Sequence, residues 1–208
     1  MRYVSFLLVL LFFASSGMAQ IIGGSFKKGY YYDLDGQKIE GFINQKPSVV
    51  GRASKAEKAI LFKSTKDAEK QLVYASDIQS YVVAADSFAV ITPPAVLRSR
   101  YQLDFARVLF DEDEKVFLIE EKASPAFGIG AGTGGVMPSV SISNAKTRIY
   151  MYGTTGDSLG LLDRRNFKEV LSSILKDYPD LLNKLNNKKT GFEDIESLSE
   201  EYMSKKGL

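Results

Sequence analysis

Residues 26–162 alternate between short β-type segments and turn signals, and this alternation constrains the fold more than any other feature of the sequence. About ten segments are rich in β-branched, aromatic or alternating side chains. Between them lie glycine, proline, asparagine, aspartate and serine, which end strands and form turns. Turns at such short intervals favour strands that pair with their neighbours along the chain. We therefore expect a curled antiparallel β-sheet of a barrel-like or sandwich-like kind.

The first predicted hairpin lies in FKKGYYYDLDGQKIEGFIN, residues 26–44. Asp35-Gly36 is a strong turn signal between two extended runs. Because successive strand residues point to opposite faces, Ile39, Gly41 and Ile43 are expected on one face of the second strand. After a polar connector at 44–58, the other strands are expected at 59–63, 71–75, 80–84, 88–92, 103–110, 115–121, 147–153 and 158–162.

At Asp163 the hydrophobic period changes from 2 to about 3.6 residues, which predicts helices. The first helix carries an apolar stripe at positions 167, 170, 171, 174 and 175, and Asn166 with Glu169 suggests a capping box. Pro179 fits the first position of a second helix, and Thr190 with Glu193 suggests the start of a third. The expected class is α+β, with a β-rich domain at 20–162 and a helical segment at 163–208 packed on the sheet.

Residues 1–19 have the pattern of a secretory signal peptide. Arg2 is followed by an apolar run from Val4 to Ala14, and Gly17 and Ala19 place small residues before a cut at Gln20. The apolar run is shorter than the ~20 residues of a spanning helix. We expect an exported protein, periplasmic or secreted after cleavage near Ala19, with no transmembrane span in the mature chain.

The chain contains no cysteine and no histidine. A disulfide framework, zinc or copper sites of the usual kind, and Ser-His or Cys-His nucleophile pairs therefore cannot form. The region after residue 19 has 26 basic and 25 acidic side chains, a balance that argues against a nucleic-acid partner. We expect no cofactor and no resident metal, and the sequence leaves the oligomeric state open.

Residues 127–143, FGIGAGTGGVMPSVSIS, form an uncharged glycine-rich stretch. Gly130–Gly135 matches the G-x-G-x-x-G pattern of dinucleotide sites, but the following Val-Met-Pro-Ser-Val does not begin the helix that such a site needs. The interpretation at this level is a long loop, flexible at 128–135 and extended at 139–143. Because exposed apolar loops often mark contacts, its candidate contact residues are Phe127, Ile129, Val136 and Met137.

Tyr30-Tyr31-Tyr32 places aromatic rings on both faces of one strand. Tyr30 and Tyr32 share a face, where they either stack on a sugar or fill the core. The core or sheet-surface role is the commoner one for such rings. Both residues join the candidate contact set, and we assign no catalytic, cofactor-binding or metal-binding residue.

Three sets of motifs occur in order along the chain: GYYYDLDGQKIEGFI, SDIQSYVV with FAVI, and YMYG leading to NFKEVLSSILKDYPDLLNKL. Together they resemble a group of small secreted proteins of the Bacteroidota type that have no assigned activity. The resemblance covers most of residues 26–202. It implies a hairpin-rich body with C-terminal helices and transfers no functional residue.

These observations favour a non-enzymatic exported protein that binds an unknown protein or an apolar ligand in the cell envelope. One alternative is a carrier whose sheet encloses an apolar small molecule or lipid, with 127–143 as its lid. Another is a carboxylate-dependent hydrolase, because 25 acidic residues always leave room for a catalytic pair. The sequence singles out no such pair.

Overall fold

A computed structural model describes residues 25–45, 58–95, 102–122, 126–132, 135–141 and 146–207. The expected signal peptide and most of the 44–58 connector lie outside these residues. The strands are β1 (Lys27–Asp33), β2 (Lys38–Asn44), β3 (Ala59–Lys63), β4 (Gln71–Tyr74), β5 (Ile78–Val83), β6 (Asp86–Ile91), β7 (Asp104–Asp111), β8 (Lys115–Lys122), β9 (Ala126–Gly132), β10 (Gly135–Ser141), β11 (Lys146–Gly153) and β12 (Gly160–Leu162). The helices are α1 (Phe167–Ile174), α2 (Pro179–Asn186) and α3 (Ile195–Lys206).

Ten of the described strands form one antiparallel sheet in the order β12-β11-β8-β7-β6-β5-β1-β2-β3-β4. The expected α+β class is confirmed. The sheet is open, because β12 and β4 are edges that do not pair with each other. Strands β9 and β10 pair with each other in a separate two-stranded sheet.

The first hairpin turns where the sequence predicts it. The Asp33 carboxylate accepts hydrogen bonds from the backbone N–H groups of Asp35 (3.0 Å) and Gln37 (2.8 Å). Gly36 has φ +77°, in the left-handed region that glycine enters without steric cost. These bonds close the turn and fix the register in which Tyr30 lies opposite Glu40.

In the sheet order, we call β1 to β5 the first half and β6, β7, β8, β11 and β12 the second half. The face of β2 that carries Ile39, Gly41 and Ile43 is the inner face of the first half. Ile43 is fully buried there, and Ile39 packs against the same cluster. Gly29 and Gly41 lie opposite each other on this face. A Cβ atom on Gly41 would lie 2.5 Å from Cε2 of Phe62. The missing side chain therefore lets Phe62 reach Tyr31, with ring centroids 5.0 Å apart.

Gly41→Ala is expected to lower the free energy of unfolding by about 1–3 kcal/mol, because the added methyl group would clash with the backbone carbonyl oxygen of Lys63 and would also overpack the Phe62 ring. Urea unfolding followed by circular dichroism measures this change. Gly36→Asn is the control: asparagine tolerates φ > 0, and a Cβ atom at Gly36 meets nothing within 4 Å. Equal effects of the two substitutions would contradict a special role for Gly41.

The second half of the sheet is packed on both faces. Phe117, Met151 and Ile119 are buried on one face with Ile91 and Ala106. The turn after β11 lies over this cluster, because the N–H of Thr92 donates to the carbonyl of Gly156 at 2.9 Å. Since β7 and β8 lie between β6 and β11 in the sheet order, this bond requires the sheet to curl around the cluster.

The helices cover the other face of this second half. Their buried side chains, including Leu171, Leu185 and Leu198, form one cluster with Leu118 and Tyr150 of the sheet. The expected packing of the C-terminal segment on the sheet is therefore present. The predicted stripe at 167, 170, 171, 174 and 175 is buried as expected.

Two predicted helix caps are wrong. The Asn166 side chain makes no cap bond. Its Oδ1, the atom that would cap the helix, accepts a hydrogen bond from the backbone N–H of Asp163 at 2.8 Å, and Asp163 Oδ1 accepts from the N–H of Arg165 at 2.7 Å. Thr190 donates to the carbonyl of Lys184 at 2.7 Å and so closes the end of α2. In both cases the side chain is hydrogen-bonded to a backbone group that precedes the helix it was expected to cap.

The loop interpretation of 128–135 is also wrong for its described residues. Residues 128–132 belong to β9 and residue 135 begins β10. The extended conformation expected from 139 onward is confirmed as far as Ser141. Glycine lowers strand propensity, so composition suggests a loop, whereas the paired backbones satisfy each other's hydrogen bonds.

Candidate functional site

Tyr30 and Tyr32 lie side by side on the outer face of the first half of the sheet. Their ring centroids are 5.6 Å apart and their planes are almost perpendicular, at 87°. Both are half-buried, whereas Tyr31, between them, faces the inner cluster. The alternation expected from the sequence thus separates one tyrosine for packing from two that reach the surface.

Two charged side chains border the tyrosine pair. Lys38 Nζ lies 4.1 Å from the centre of the Tyr30 ring and 2.7 Å from Glu40 Oε1. The hydrogen bond between them raises the pKa of Lys38 and lowers the pKa of Glu40. A cation over a ring and an exposed ion pair hold the edge of the pair in a defined geometry.

Apolar and small side chains complete this surface. In the ladder with β5, Tyr30 is opposite Val82 and Tyr32 is opposite Ser80. Phe42 follows on β2 and is half-buried. We call Tyr30, Tyr32, Lys38, Glu40, Phe42 and Val82 the aromatic face. The described helices pack against strands of the other half of the sheet, so the side chains of the aromatic face border solvent.

The glycine-rich stretch does not bring its four candidates to one surface. The β9–β10 register places Ile129 opposite Pro138 and Val136 opposite Ala131. Positions 127, 129 and 136 fall on one face of the hairpin, because paired residues share a face and alternate residues repeat it. Met137 is opposite Gly130 and falls on the other face. The side chains of this hairpin lie outside the described part of the structure.

A cluster around Glu196 joins α3 to the sheet. Its carboxylate lies 2.6 Å from the Arg107 guanidinium and 3.1 Å from that of Arg148. It also accepts a hydrogen bond from the Tyr150 hydroxyl at 3.0 Å. Both carboxylate oxygens are thus engaged by sheet residues, which is the arrangement of a structural link between two layers.

A second cluster, around Glu112, links the β7–β8 turn to the helices. Glu112 Oε1 lies 2.7 Å from the Tyr202 hydroxyl, 2.9 Å from the Tyr178 hydroxyl and 3.1 Å from Lys206 Nζ. The hydrogen bond from Tyr202, followed by those from the lysine and Tyr178, lowers the pKa of Glu112. Beside it is an open hollow of about 200 Å³ lined by Glu112, Asp113, Glu114, Ser173, Ile174, Lys176 and Asp177.

These acidic side chains do not converge as metal ligands do. Within the described residues, no group of three or more carboxylates has an arrangement that could hold a metal ion. The tip of the β7–β8 hairpin instead carries ion pairs, such as Lys115 with Asp111 at 2.5 Å. The charged side chains of this tip keep the turn in contact with solvent.

The tyrosines of the two clusters predict loss of stability in alkali. Burial raises the pKa of Tyr202 and of Tyr150 to about 12, above the value of about 10 in an unfolded chain. Between these pH values the unfolded chain releases protons that the folded chain retains, so unfolding becomes more favourable as pH rises. Their contribution is fully present below pH about 10 and is lost towards pH about 12.

Urea unfolding at a series of alkaline pH values measures this loss, and tyrosinate absorbance reports the titration itself. In the Tyr202→Phe variant the decline with pH should be shallower, because one of the tyrosines with a raised pKa is gone. A wild-type protein whose tyrosines all titrate near pH 10 while it remains folded would contradict the expectation.

The chain matches no protein-family model, and neither the curated proteins nor the solved structures contain a significant match to it. Among the described residues, no helix has the length and apolar content that crossing a membrane requires.

Proposed function

We propose that this is an exported, non-enzymatic binding protein of the cell envelope, and that the aromatic face is its contact surface for a protein partner. The observation that carries the proposal is the placement of the Tyr30–Tyr32 pair on the face that the described helices leave open. The signal-peptide pattern and the resemblance to small secreted proteins support the location.

The chemistry of the face suits a protein partner. Tyrosine is enriched among the residues that dominate binding energy, because a rigid ring offers large apolar area and one polar tip. Lys38 and Glu40 provide the charged rim that surrounds such anchors in interfaces. Since Lys38 already lies over the Tyr30 ring, that ring is less suited to stack on a sugar, which would need the same surface.

The remaining polar clusters support a non-enzymatic role. General acids in hydrolases have carboxyl groups whose pKa is raised towards the working pH. The pKa values of Glu112 and Glu40 are lowered instead, because each carboxylate accepts hydrogen bonds that favour its charged form. The Glu196 carboxylate is held by two arginines and a tyrosine, which leaves it no free oxygen for a substrate.

A photo-crosslinking amino acid at position 30 tests the proposal in cells. We expect it to capture a discrete partner protein. The same group at Leu161 is the matched control, since Leu161 is 37% exposed and lies on the edge strand β12, six positions from β1 in the sheet order. The double variant Tyr30→Ala/Tyr32→Ala should abolish binding of the isolated partner, and Leu161→Ala should leave it unchanged.

Circular dichroism confirms that the double variant is folded before its binding is compared. Equal capture from positions 30 and 161, or unchanged binding by the double variant, would overturn the proposal. Native mass spectrometry that finds a co-purifying lipid would favour the carrier alternative. Turnover of a glycoside, ester or peptide panel by the purified protein would favour the hydrolase.

A further inference from the structure

The β9–β10 hairpin has two faces of different composition. Positions 127, 129 and 131 pair with 140, 138 and 136, and the residues there are Phe, Ile and Ala with Val, Pro and Val. Positions 126, 128, 130 and 132 pair with 141, 139, 137 and 135. That second face consists of glycine, alanine and serine apart from Met137. One face is therefore continuously apolar along its length.

The hairpin carries no charge, whereas the ladder that leads to it ends in two lysines. Residues 123–145 contain no Asp, Glu, Lys or Arg. Lys122 is directly opposite Lys146 in the β8–β11 ladder, and these are the last residues of β8 and the first of β11. Only three residues on one side and four on the other separate this lysine pair from the hairpin. Along the chain, the uncharged hairpin is thus flanked by one lysine on each side.

The hairpin is also isolated in its pairing. Its strands pair with each other and with no other described strand. A single two-stranded hairpin is marginally stable in water. The apolar face of such a hairpin is therefore expected to pack against a second surface. The position of the lysine pair indicates which one, because lysines beside an apolar segment complement an anionic lipid surface.

We propose that the β9–β10 hairpin inserts its Phe127–Ile129 face into the interface of a membrane that contains anionic phospholipids, with Lys122 and Lys146 at the headgroups. Each strand has seven residues, about 23 Å of extended chain, which is less than the ~30 Å hydrocarbon core. The outer edges of both strands carry backbone groups that need water or headgroup partners. The short strands and the unpaired backbone groups at their edges both limit insertion to one interface of the membrane.

This membrane contact is independent of the aromatic face. It uses a different part of the chain and holds whether or not Tyr30 and Tyr32 bind a protein. The two proposals therefore fail separately: vesicle binding does not require the tyrosine pair, and partner capture at position 30 does not require the hairpin.

The absence of tryptophan from the chain makes a direct test possible. Ile129→Trp in the full-length protein gives a single fluorophore on the apolar face. With vesicles of phosphatidylcholine containing about 30% phosphatidylglycerol, which present an anionic surface, its emission should shift to shorter wavelength and be quenched by brominated lipid. Met137→Trp, on the other face, should shift less, and Leu161→Trp should not shift.

Vesicle flotation measures the contribution of each group. Phe127→Ser/Ile129→Ser should lower binding at least tenfold, because two large side chains lose their apolar environment. Lys122→Gln/Lys146→Gln should lower binding to anionic vesicles by about fivefold per lysine, and leave the weak binding to pure phosphatidylcholine unchanged.

Circular dichroism verifies that these variants retain the main sheet. Absence of vesicle binding by the wild-type chain, or equal binding by wild type and the Ser double variant, would overturn the proposal. Sedimentation without lipid provides a further check. Concentration-dependent self-association that the Ser double variant abolishes would assign the apolar face to a second copy of the chain and would also overturn the membrane contact.

Discussion

Phe117→Ala is expected to lower the free energy of unfolding by about 3–5 kcal/mol, the usual cost of removing a buried phenylalanine ring. Phe117 is 1% exposed and packs with Met151 and Ile119 on the face of the sheet opposite the helices. The β11–β12 turn is hydrogen-bonded across this face, which limits collapse of the strands into the space left by the ring. A cavity that cannot collapse is the costly kind.

Urea unfolding of Phe117→Ala measures this cost, and Leu34→Ala serves as the control. Leu34 is 62% exposed at the tip of the first hairpin, so its removal should change stability by less than about 0.5 kcal/mol. A loss below about 1 kcal/mol for Phe117→Ala would contradict the curled packing of the second half of the sheet.

Tyr202→Ala is expected to have a similar cost, about 3–5 kcal/mol, for two separable reasons. The ring packs against Phe110 and Tyr178, with centroids 5.2 Å away in both cases. The hydroxyl lies 2.7 Å from the Glu112 carboxylate and accepts a hydrogen bond from Lys206 Nζ at 2.9 Å. Removal of the side chain therefore leaves a cavity and weakens the link between α3 and the β7–β8 turn.

Tyr202→Phe separates the two contributions, since it keeps the ring and removes the hydroxyl. Its cost should be about 1–2 kcal/mol, because Glu112 retains Tyr178 and Lys206 as donors. Thermal unfolding of the two variants provides the comparison. If the phenylalanine variant lost as much stability as the alanine variant, the hydroxyl network and not the ring would dominate, contrary to expectation.

The sequence predicts the hairpins of the main sheet well because their signals are local. The Asp35-Gly36 turn, the segment 59–63 and the alternation of Ile39, Gly41 and Ile43 appear in the structure as expected. Each depends on residues close together in the chain: a turn needs a glycine at φ > 0, and a strand needs side chains that repeat every second residue. The Pro179 helix start is local in the same way.

The helix caps and the glycine-rich stretch were not predicted correctly, for a related reason. In the folded chain the Asn166 side-chain oxygen accepts from the N–H of Asp163, and the Thr190 hydroxyl donates to the carbonyl of Lys184. Residues 126–132 and 135–141 contain many glycines, yet the two segments pair as strands, because each satisfies the backbone hydrogen bonds of the other. In both cases the local structure depends on a hydrogen-bond partner that residue propensities do not predict.

For the candidate surfaces, too, some features follow from the local sequence and others only from the folded chain. The sequence indicates that Tyr30 and Tyr32 share a face, but not that this face lies away from the helices. The Glu112 and Glu196 clusters join residues about 46 to 91 positions apart, and their members carry no motif that would single them out.

For this protein, the sequence by itself determined the strands and turns of the main sheet and the apolar stripe of the first helix, together with the chemistry that a chain without histidine or cysteine cannot perform. Local backbone preferences and side-chain periodicity are sufficient for these features. Only the tertiary structure decided how the ten-stranded sheet curls, which of its faces the helices cover, and which tyrosines remain at the surface. Those features depend on burial between distant segments, which become neighbours only when the chain has folded.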